Sequence, residues 1–211
     1  MNQKNGKNSL GLDICFEDSA NPIDLFKKWF AAAEKSEIND PNAFSLGTAT
    51  SDGRPSVRMV LLKGLSNDGF VFYSNFNSRK GNDLKKNPKA SMCFYWESLK
   101  RQVCITGKVS VINSKEADEY YNSRSYESRI GAWASSQSDV MKNRDEFIKK
   151  IKEFKIKYPD KNKVPRPPYW SGWRLKPEQI EFWLRIENRI HQRLNYRNDN
   201  GKWNKEILYP Y

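Results

Sequence analysis

Cations in two parts of the chain could hold a phosphate group. The segment RMVLLK reads as a strand whose side chains alternate between two faces, with Arg58 and Lys63 at the ends of an apolar run that we expect to be buried. Sixteen residues after Lys63, Arg79 and Lys80 open a predicted helical turn, where backbone N–H groups and two adjacent cations could bind an anion. A basic residue at the end of a strand is also an ordinary surface charge, so the pattern alone leaves both interpretations open.

A second polar cluster lies in the segment EYYNSRSYESR. Tyr120, Arg124 and Ser128 are four residues apart and would share one face if a single helix runs through them. All three side chains can donate hydrogen bonds to phosphate oxygens. A solvated helix face explains the same spacing, but two such clusters would suit a phosphorylated cofactor beside a phosphorylated substrate. The chain has neither a Walker loop nor G-x-G-x-x-G for a nucleoside triphosphate or a dinucleotide.

The single histidine, His191, lies in NRIHQR, which reads as a strand. Strand alternation would place Arg189, His191 and Arg193 on the same side. Two arginines on one face are costly to bury without an anion, so the trio predicts an anionic or electron-rich ligand. A structural histidine is the plainer interpretation. Trp183 could line a pocket for that ligand, but it could equally belong to the core.

The elements that must position these residues are short strands and a few helices. Apolar runs separated by Gly, Asp and Asn turns indicate at least five strands before residue 112, and the sequence NDNG predicts a hairpin near the C-terminus. Asn21 and Pro22 predict the start of a helix, and a short helix is expected from Arg79 to Lys86. A long amphipathic helix is predicted to carry one apolar face formed by Val140, Phe147, Ile148, Ile151 and Phe154. The fold class predicted is mainly β with peripheral helices, a closed or nearly closed β-barrel.

Composition and length limit the classes of protein that remain. The 211 residues suit one domain, which we place at residues 21–211 after a flexible segment at residues 1–20. Neither an apolar run of membrane-spanning length nor a signal peptide is visible, which predicts a cytoplasmic protein that does not enter a membrane. Three cysteines without C-x-x-C spacing read as structural thiols, and one histidine excludes metal sites that need two, so no metal is expected. A net charge of +12 would fit nucleic acid, an anionic membrane or phosphorylated small molecules, but no nucleic-acid-binding motif accompanies it.

Six segments together carry a resemblance to a known family. They stand in the same order and at nearly the same spacing as in the FMN-dependent pyridoxine/pyridoxamine 5'-phosphate oxidases, from about Pro22 to the C-terminus. The segments are RMVLLK, FYSNFNSRK, RQVCITG, SRSYESRIGAWASSQS, PRPPYW and EFWLRIENRIHQR. The resemblance implies an FMN-binding split β-barrel that acts as a homodimer, with the flavin held where the two subunits meet.

The resemblance also implies roles for individual residues. The positions that correspond to FMN contacts are Arg58, Met59, Val60, Leu61, Leu62, Lys63, Tyr73, Ser74, Arg79, Lys80, Gln102, Gln137, Ser138, Trp183 and Arg193. The positions that correspond to substrate-phosphate contacts are Lys63, Tyr120, Arg124 and Ser128. Arg189 and His191 would be the catalytic residues and would lie over the substrate's pyridine ring. The implied reaction moves a hydride from the 4'-carbon of the substrate to the flavin, which dioxygen reoxidises with release of hydrogen peroxide.

Several positions depart from the family pattern. The N-terminal Arg-x-x-Tyr substrate lid has no recognisable counterpart in MNQKNGKNSLG. The other departures are Ser125 for proline, Arg129 for glutamine, Leu184 and Arg185 for Gln-Gly, Ile190 for leucine, Gln192 for aspartate and Ile207 for arginine. Three alternatives therefore stay open: another split-barrel flavin oxidoreductase such as a phenazine-pathway oxidase, a vitamer-binding or flavin-storing protein without turnover, and a basic nucleic-acid binder.

Overall fold

The fold is built around one long antiparallel sheet. A computed structural model describes residues 6–210, and these contain nine strands and five α-helices. The strands are β1 (Ala43–Ala49), β2 (Pro55–Leu61), β3 (Gly64–Ser66), β4 (Gly69–Asn75), β5 (Lys89–Trp96), β6 (Arg101–Val111), β7 (Trp170–Leu184), β8 (Gln192–Asp199) and β9 (Lys202–Ile207). The helices are α1 (Pro22–Ser36), α2 (Arg79–Lys86), α3 (Ser114–Ser123), α4 (Tyr126–Ala134) and α5 (Arg144–Lys157). The prediction of a mainly β fold with peripheral helices is confirmed.

Strand β7 is the common neighbour of both halves of the sheet. The strand order is β2-β1-β5-β6-β7-β4-β3, and β8 and β9 extend from β7. The first part of β7 pairs with β4, and its last part pairs with β8, while β6 runs along its other edge. The β6–β7 register shifts at Gly107, where a side chain would meet the backbone oxygen of Lys176 at 2.1 Å. A glycine is therefore required where the strand bends.

An aromatic core fills the inside of the curled sheet. The ring of Phe26 from α1 lies 4.9 Å from Phe70 and 5.1 Å from Phe94, both in edge-to-face contact. Trp29 contacts Phe182 at 5.1 Å in the same manner. These rings are buried, and such pairs stabilise a core by about 0.5–1.5 kcal/mol beyond the area that they bury. Helix α1 is thereby fixed across the open side of the sheet.

Local signals in the sequence place the ends of two elements correctly. Asn21 caps α1 by accepting a hydrogen bond from the backbone of Ile23 at 3.0 Å, and Pro22 begins the helix. Asn200 and Gly201, at φ of 51° and 92°, form the predicted hairpin turn between β8 and β9. Positive φ at both central positions matches the right-handed twist of the two strands. No helix within the described range is long and apolar enough to span a bilayer.

The segment that precedes α1 is packed over part of its length. Phe16 is fully buried, 5.4 Å from the ring of Trp29, and Trp29 Nε1 donates to the carbonyl of Cys15 at 2.7 Å. The Gln192 side chain accepts the backbone N–H of Asp13 at 2.7 Å. Residues 12–16 are therefore packed against the core through an aromatic side chain, and the expected flexibility of residues 1–20 stays a prediction.

The predicted long amphipathic helix is shorter and less buried than expected. Val140 lies before α5 and is fully exposed, and no residue of α5 is buried. The helix contacts the rest of the chain mainly through Phe154, whose ring is 5.6 Å from Trp133 of α4. Periodicity alone did not show that α5 lies on the surface of another helix instead of on the sheet.

Candidate active site

A cavity of about 460 Å³ opens between β2, β4, α2 and α3. Four of the residues that line it are basic and none of them is acidic. The lining residues are Arg58, Met59, Val60, Leu61, Lys63, Tyr73, Ser74, Asn75, Lys80, Tyr120, Arg124, Gln137 and Trp170. All but Asn75 and Trp170 are predicted site residues, so the structure brings together segments that are far apart in sequence.

Arg58 is held in the cavity wall by its neighbours on the sheet. Its guanidinium donates to the hydroxyls of Thr48, at 2.7 Å, and Ser56. Both hydroxyls in turn donate to the buried carboxylate of Asp83, at 2.7 and 3.1 Å. Burial lowers the pKa of Arg58, and the charge of Asp83 opposes that shift. The chain thus fixes a cation at the cavity and leaves its outer edge available to a ligand.

The start of α2 supplies a second cation together with backbone N–H groups. Ser78 caps the helix, and Lys80 Nζ contacts Ser78 Oγ at 3.2 Å and Gln137 Oε1 at 2.7 Å. The backbone N–H of Arg79 donates to Ser138 Oγ at 3.2 Å, so all four predicted residues of this region meet. Burial and the neighbouring charge of Arg58 lower the pKa of Lys80 to about 8. Two close cations without a carboxylate between them constitute a site for an anion.

An aromatic stack forms the opposite wall of the cavity. The ring of Tyr73 lies 3.9 Å from that of Tyr120 and 5.3 Å from that of Trp170, and the guanidinium of Arg124 lies 4.8 Å from the Trp170 ring. Burial raises the pKa of Tyr73 to about 12, with a further contribution from Glu116, and burial also raises that of Tyr120. Both phenols therefore keep their protons and can donate hydrogen bonds at neutral pH.

The polar face expected along one helix is divided between two helices. Arg124 ends α3, and Ser125 begins α4 by accepting the backbone N–H of Ser128 at 3.2 Å. A single helix through Tyr120, Arg124 and Ser128 is therefore wrong. The break nevertheless keeps Arg124 and Ser128 together, because both line a second cavity of about 310 Å³. This second cavity shares four lining residues with the first: Asn75, Arg124, Gln137 and Trp170.

Arg124, which lines both cavities, has a buried donor without a protein partner. Within the described part of the chain, its Nη1 makes no hydrogen bond to protein, and neither does Trp183 Nε1, which lies outside both cavities. A buried donor without a partner costs about 1–3 kcal/mol, which a ligand oxygen would recover.

The remaining predicted residues form a second group at the far end of β7. Gln102, Trp183 and Arg193 are direct neighbours on β6, β7 and β8. Arg193 donates to both carboxylate oxygens of Glu181, at 2.8 and 3.0 Å, and to the backbone oxygen of Tyr209. The His191 ring lies 4.7 Å from that of Trp183. This second group thus surrounds an exposed end of the sheet and not the cavity.

The segment that carries Arg189 and His191 is a turn and not a strand. Residues Glu187–Arg189 form a single 3-10 turn, with Asn188 and Arg189 at φ of 55° and 62°, and β8 begins only at Gln192. The predicted common strand face of Arg189, His191 and Arg193 is therefore wrong. His191 Nδ1 accepts the backbone N–H of Ile186 at 3.1 Å, so the neutral ring carries its proton on Nε2, where it can donate to a ligand.

The two groups are separated along one strand. Trp170 lines the cavity at the start of β7, and Trp183 lies thirteen residues further along it, which is roughly 40 Å of extended chain. Leu62 joins neither group, because its side chain is in the core and its backbone pairs with Asn42. Within one chain, the predicted site residues therefore form two half-sites.

The strand that carries Arg58 also presents an apolar face to the surface. Val57, Met59 and Leu61 of β2 are 70%, 63% and 36% exposed. The expectation of a buried apolar strand is wrong for the single chain, since only the other side of β2 faces the sheet interior. A row of exposed apolar side chains beside a polar cavity is typical of a protein–protein interface.

The departures from the family pattern have local structural roles. Ser125 caps α4, and Gln192 accepts the backbone N–H of Asp13. Arg129 is buried and donates to the carbonyl of Lys161 at 2.6 Å. Arg185 binds the carboxylate of Glu97 with two nitrogens, both at 3.1 Å. Ser125, Gln192, Arg129 and Arg185 therefore each make defined contacts within this chain.

Sequence reasoning missed three residues that matter for the cavity. Trp170 supports both Tyr73 and Arg124, Asn75 lines both cavities, and Asp83 anchors the hydroxyls that hold Arg58. Trp170 belongs to the segment PRPPYW, which carries part of the family resemblance. Its role was missed because its ring contacts Tyr73 and Arg124, which are far from it in sequence. No sequence signal distinguishes Asp83 from the solvated charges of a lysine-rich helix.

Known structures with this architecture define its class. PhzG from Burkholderia lata 383, in complex with tetrahydrophenazine-1-carboxylic acid, superposes with a TM-score of 0.88 at 32% identity, over 97% of this chain and 100% of the other. A pyridoxamine 5'-phosphate oxidase-related, FMN binding protein from Nostoc punctiforme superposes with a TM-score of 0.72 at 20% identity, over 91% of this chain and 100% of the other. The fold is therefore the split β-barrel found in FMN-binding proteins.

Sequence comparison specifies the family within that class. The model for pyridoxamine 5'-phosphate oxidase matches residues 30–158, and that for the pyridoxine 5'-phosphate oxidase C-terminal dimerisation region matches residues 170–210. The pyridoxine/pyridoxamine 5'-phosphate oxidase of Pelagibacter ubique (strain HTCC1062) is 60% identical over 207 residues, which is 98% of this chain and 100% of the relative. That of Sinorhizobium fredii is 48% identical over 92% of this chain and 95% of the relative. The chain belongs to the pyridoxamine 5'-phosphate oxidase family.

Proposed function

We propose that this chain oxidises pyridoxine 5'-phosphate or pyridoxamine 5'-phosphate to pyridoxal 5'-phosphate, with FMN as cofactor and dioxygen as acceptor. The observation that carries the proposal is the basic cavity, whose lining consists almost entirely of the residues that the sequence resemblance assigns to these two phosphorylated ligands. The 60% identity to a pyridoxine/pyridoxamine 5'-phosphate oxidase over nearly the whole chain supports the same reaction.

The residues at the start of α2 fit the phosphate of FMN. Arg58 and Lys80 supply two cations that line the cavity. A dianionic phosphate would offset both the burial and the nearby charge of Arg58 that lower the pKa of Lys80. FMN, when bound, accepts the hydride and passes its electrons to dioxygen, so the protein needs no covalent nucleophile of its own.

The second cavity fits the phosphate of the substrate. Arg124 has a buried nitrogen without a protein partner, and its plane is fixed over Trp170. Ser128 adds a hydroxyl in the second cavity, and Tyr120 and Lys63 line the first cavity, which shares Arg124 with the second. A phosphate held here would anchor the substrate at a distance from its reacting carbon, which favours correct orientation.

We further propose that two copies of the chain complete each site. Trp170 and Trp183 lie thirteen residues apart on β7, and the residues around each form separate groups within one chain. A second copy that packs on the apolar face of β2 would bring its own Gln102, Trp183 and Arg193 to the FMN. The match of residues 170–210 to a dimerisation region supports a homodimer.

Within the composite site, the turn before β8 would address the substrate ring. Arg189 is exposed at the tip of that turn, where its fixed charge could orient the substrate and stabilise charge that develops during hydride removal. His191 could donate one hydrogen bond from Nε2, because Nδ1 is engaged by the backbone. Arg189 and His191 are therefore proposed as the catalytic residues. The cytoplasmic location expected from the sequence stays a prediction.

A phenazine-pathway reaction is the nearest alternative, given the similarity to PhzG. The carboxylated ligand named for that structure carries no phosphate. Retention of Lys63, Tyr120, Arg124 and Ser128 around two connected cavities favours a phosphorylated substrate here.

Purified protein tests the function directly. The chain should purify yellow, release FMN on denaturation, and form pyridoxal 5'-phosphate and hydrogen peroxide from either phosphorylated vitamer. Protein that binds FMN and the vitamers but releases no peroxide would be a storage protein. Salt-sensitive binding to DNA or RNA without bound flavin would instead indicate a nucleic-acid binder.

FMN affinity should fall as the pH rises above about 8. Lys80, whose pKa is lowered to about 8, then loses its charge in the free protein, whereas bound phosphate favours the charged form. The dissociation constant should rise by up to about tenfold per pH unit until the pKa of the complex is reached. Quenching of FMN fluorescence between pH 7 and 9.5 measures it.

Lys80→Arg is the matched control for that experiment. Arginine remains protonated over the whole range, so its affinity profile should be flat. Equal slopes for both proteins would show that Lys80 does not meet the cofactor phosphate.

Arg124→Ala should raise KM far more than it lowers kcat, because the phosphate is remote from the reacting carbon. Loss of a charge-assisted hydrogen bond should cost about 1.5–3 kcal/mol, or roughly 10- to 150-fold in KM. Steady-state assays with pyridoxine 5'-phosphate measure both constants. Arg54→Ala, which removes an exposed arginine outside both cavities, is the control. A parent protein that oxidises unphosphorylated pyridoxine equally well would contradict the assignment.

Arg189→Leu should reduce kcat/KM by about 10²-fold, equivalent to about 2.7 kcal/mol. His191→Asn should cost less, because the neutral imidazole offers one hydrogen bond and asparagine can still accept from Ile186. Arg189→Lys, which keeps the charge but not the planar group, should fall between parent and Arg189→Leu. Arg189→Leu and His191→Asn should both keep bound FMN. Near-normal turnover by Arg189→Leu would show that this turn is not part of the active site.

A further inference from the structure

Two of the three cysteines are direct neighbours across the sheet. Cys93 of β5 and Cys104 of β6 occupy the same register position of an antiparallel pair. Residues that oppose each other in this way have Cα atoms about 4.5–5.5 Å apart, a separation that a disulfide can span. Both thiols are free and half-buried. Their separation in sequence gave no hint of this pairing.

The pair lies on the outer face of the sheet and not in the aromatic core. The residues on either side of each cysteine along its strand, such as Phe94 and Val103, are buried. Cys104 shares the outer face with Gln102, whose amide nitrogen is 3.4 Å from Cys104 Sγ. The dithiol therefore adjoins a residue of the second half-site.

The two thiols are chemically unequal. The hydrogen bond between them lowers the pKa of Cys93 and raises that of Cys104, and burial raises the Cys104 pKa further. Cys93 is therefore the thiol that more readily becomes a thiolate. Only the thiolate reacts with peroxides, so one member of the pair is suited to attack and the other to resolve the product.

We propose that Cys93 and Cys104 form a peroxide-reactive dithiol site, which hydrogen peroxide oxidises to a reversible cross-strand disulfide. The Cys93 thiolate attacks one peroxide oxygen, the O–O bond breaks, and protonation of the leaving hydroxide releases water and leaves a sulfenic acid. The Cys104 sulfur then displaces the hydroxyl group as a second water and forms the S–S bond. Two thiols lose two electrons and two protons while one peroxide is reduced to two waters.

Hydrogen peroxide is a product of the proposed reaction, so the dithiol would be exposed to peroxide that the same protein releases. Only this origin of the oxidant rests on the proposed function, since added peroxide can perform the same step. A half-buried disulfide between adjacent strands belongs to the labile kind that cellular thiols reduce again. Cys15 offers an internal comparison, because burial raises its pKa to about 12.

Treatment of the purified full-length chain with hydrogen peroxide, followed by alkylation and peptide mass spectrometry, tests the proposal without substrate. The expected result is one linked peptide pair that contains Cys93 and Cys104, reversed by dithiothreitol, with Cys15 still alkylated. Both cysteines remaining alkylated, or oxidising beyond sulfenic acid without a link, would overturn it.

Two serine variants test the order of events, and each keeps a small polar side chain. Cys104→Ser should accumulate a sulfenic acid on Cys93 that dimedone traps, because the serine hydroxyl preserves the hydrogen bond. Cys93→Ser should form sulfenic acid on Cys104 at least about tenfold more slowly, since that thiol is rarely ionised. Equal rates, or a faster reaction at Cys104, would contradict the assigned roles. Circular dichroism of both variants should match the parent.

Discussion

The pairing of β6 with β7 is the constraint on which the rest of the structure depends. One continuous strand from Trp170 to Leu184 pairs with β4 near its start and with β8 near its end. Hydrogen bonding along β6 keeps these two ends apart, and the bend at Gly107 curls the sheet around its aromatic core. The same strand that organises the barrel therefore also carries the two groups of site residues near its two ends.

The cations that line the cavity lack acidic partners there, so they favour binding of an anion and do not stabilise the chain without a ligand. Burial and, second, the charge of Arg58 lower the pKa of Lys80, and no acidic residue lines the cavity. Arg124 is similarly held by aromatic rings without a carboxylate. An anion that binds the folded chain and not the unfolded chain stabilises the fold in proportion to its affinity. Flavin binding and folding stability should accordingly rise together.

Sequence patterns predicted the local structure well because capping and turn residues act over a few positions. Asn21 and Pro22 fixed the start of α1, and Asn200 with Gly201 fixed the last hairpin. The prediction that Arg189 lies on a strand was wrong because two consecutive residues with positive φ form a turn there. No glycine stands at these positions to indicate such a turn in the sequence.

Contacts between distant segments were the least predictable part. The Asp83 network around Arg58, the Trp170 ring beneath Arg124 and the cross-strand pair Cys93 and Cys104 all depend on sheet register. The family resemblance supplied the names of most cavity residues. It could not show that β2 leaves an apolar face exposed in the single chain. An apolar strand is expected to be buried, and here only a second molecule could bury that face.

The central claim is that each active site takes residues from two copies of the chain, and a mixed dimer tests it most directly. Arg124→Ala and Arg189→Leu would be co-expressed with different affinity tags, and the heterodimer isolated through both tags. If the site is shared, one site of the heterodimer carries both substitutions and the other carries neither. Its kcat/KM should then reach about half that of the parent dimer. If each site belongs to one chain, the heterodimer will show only the mean of the two weak homodimers, and the account of a composite site will be contradicted.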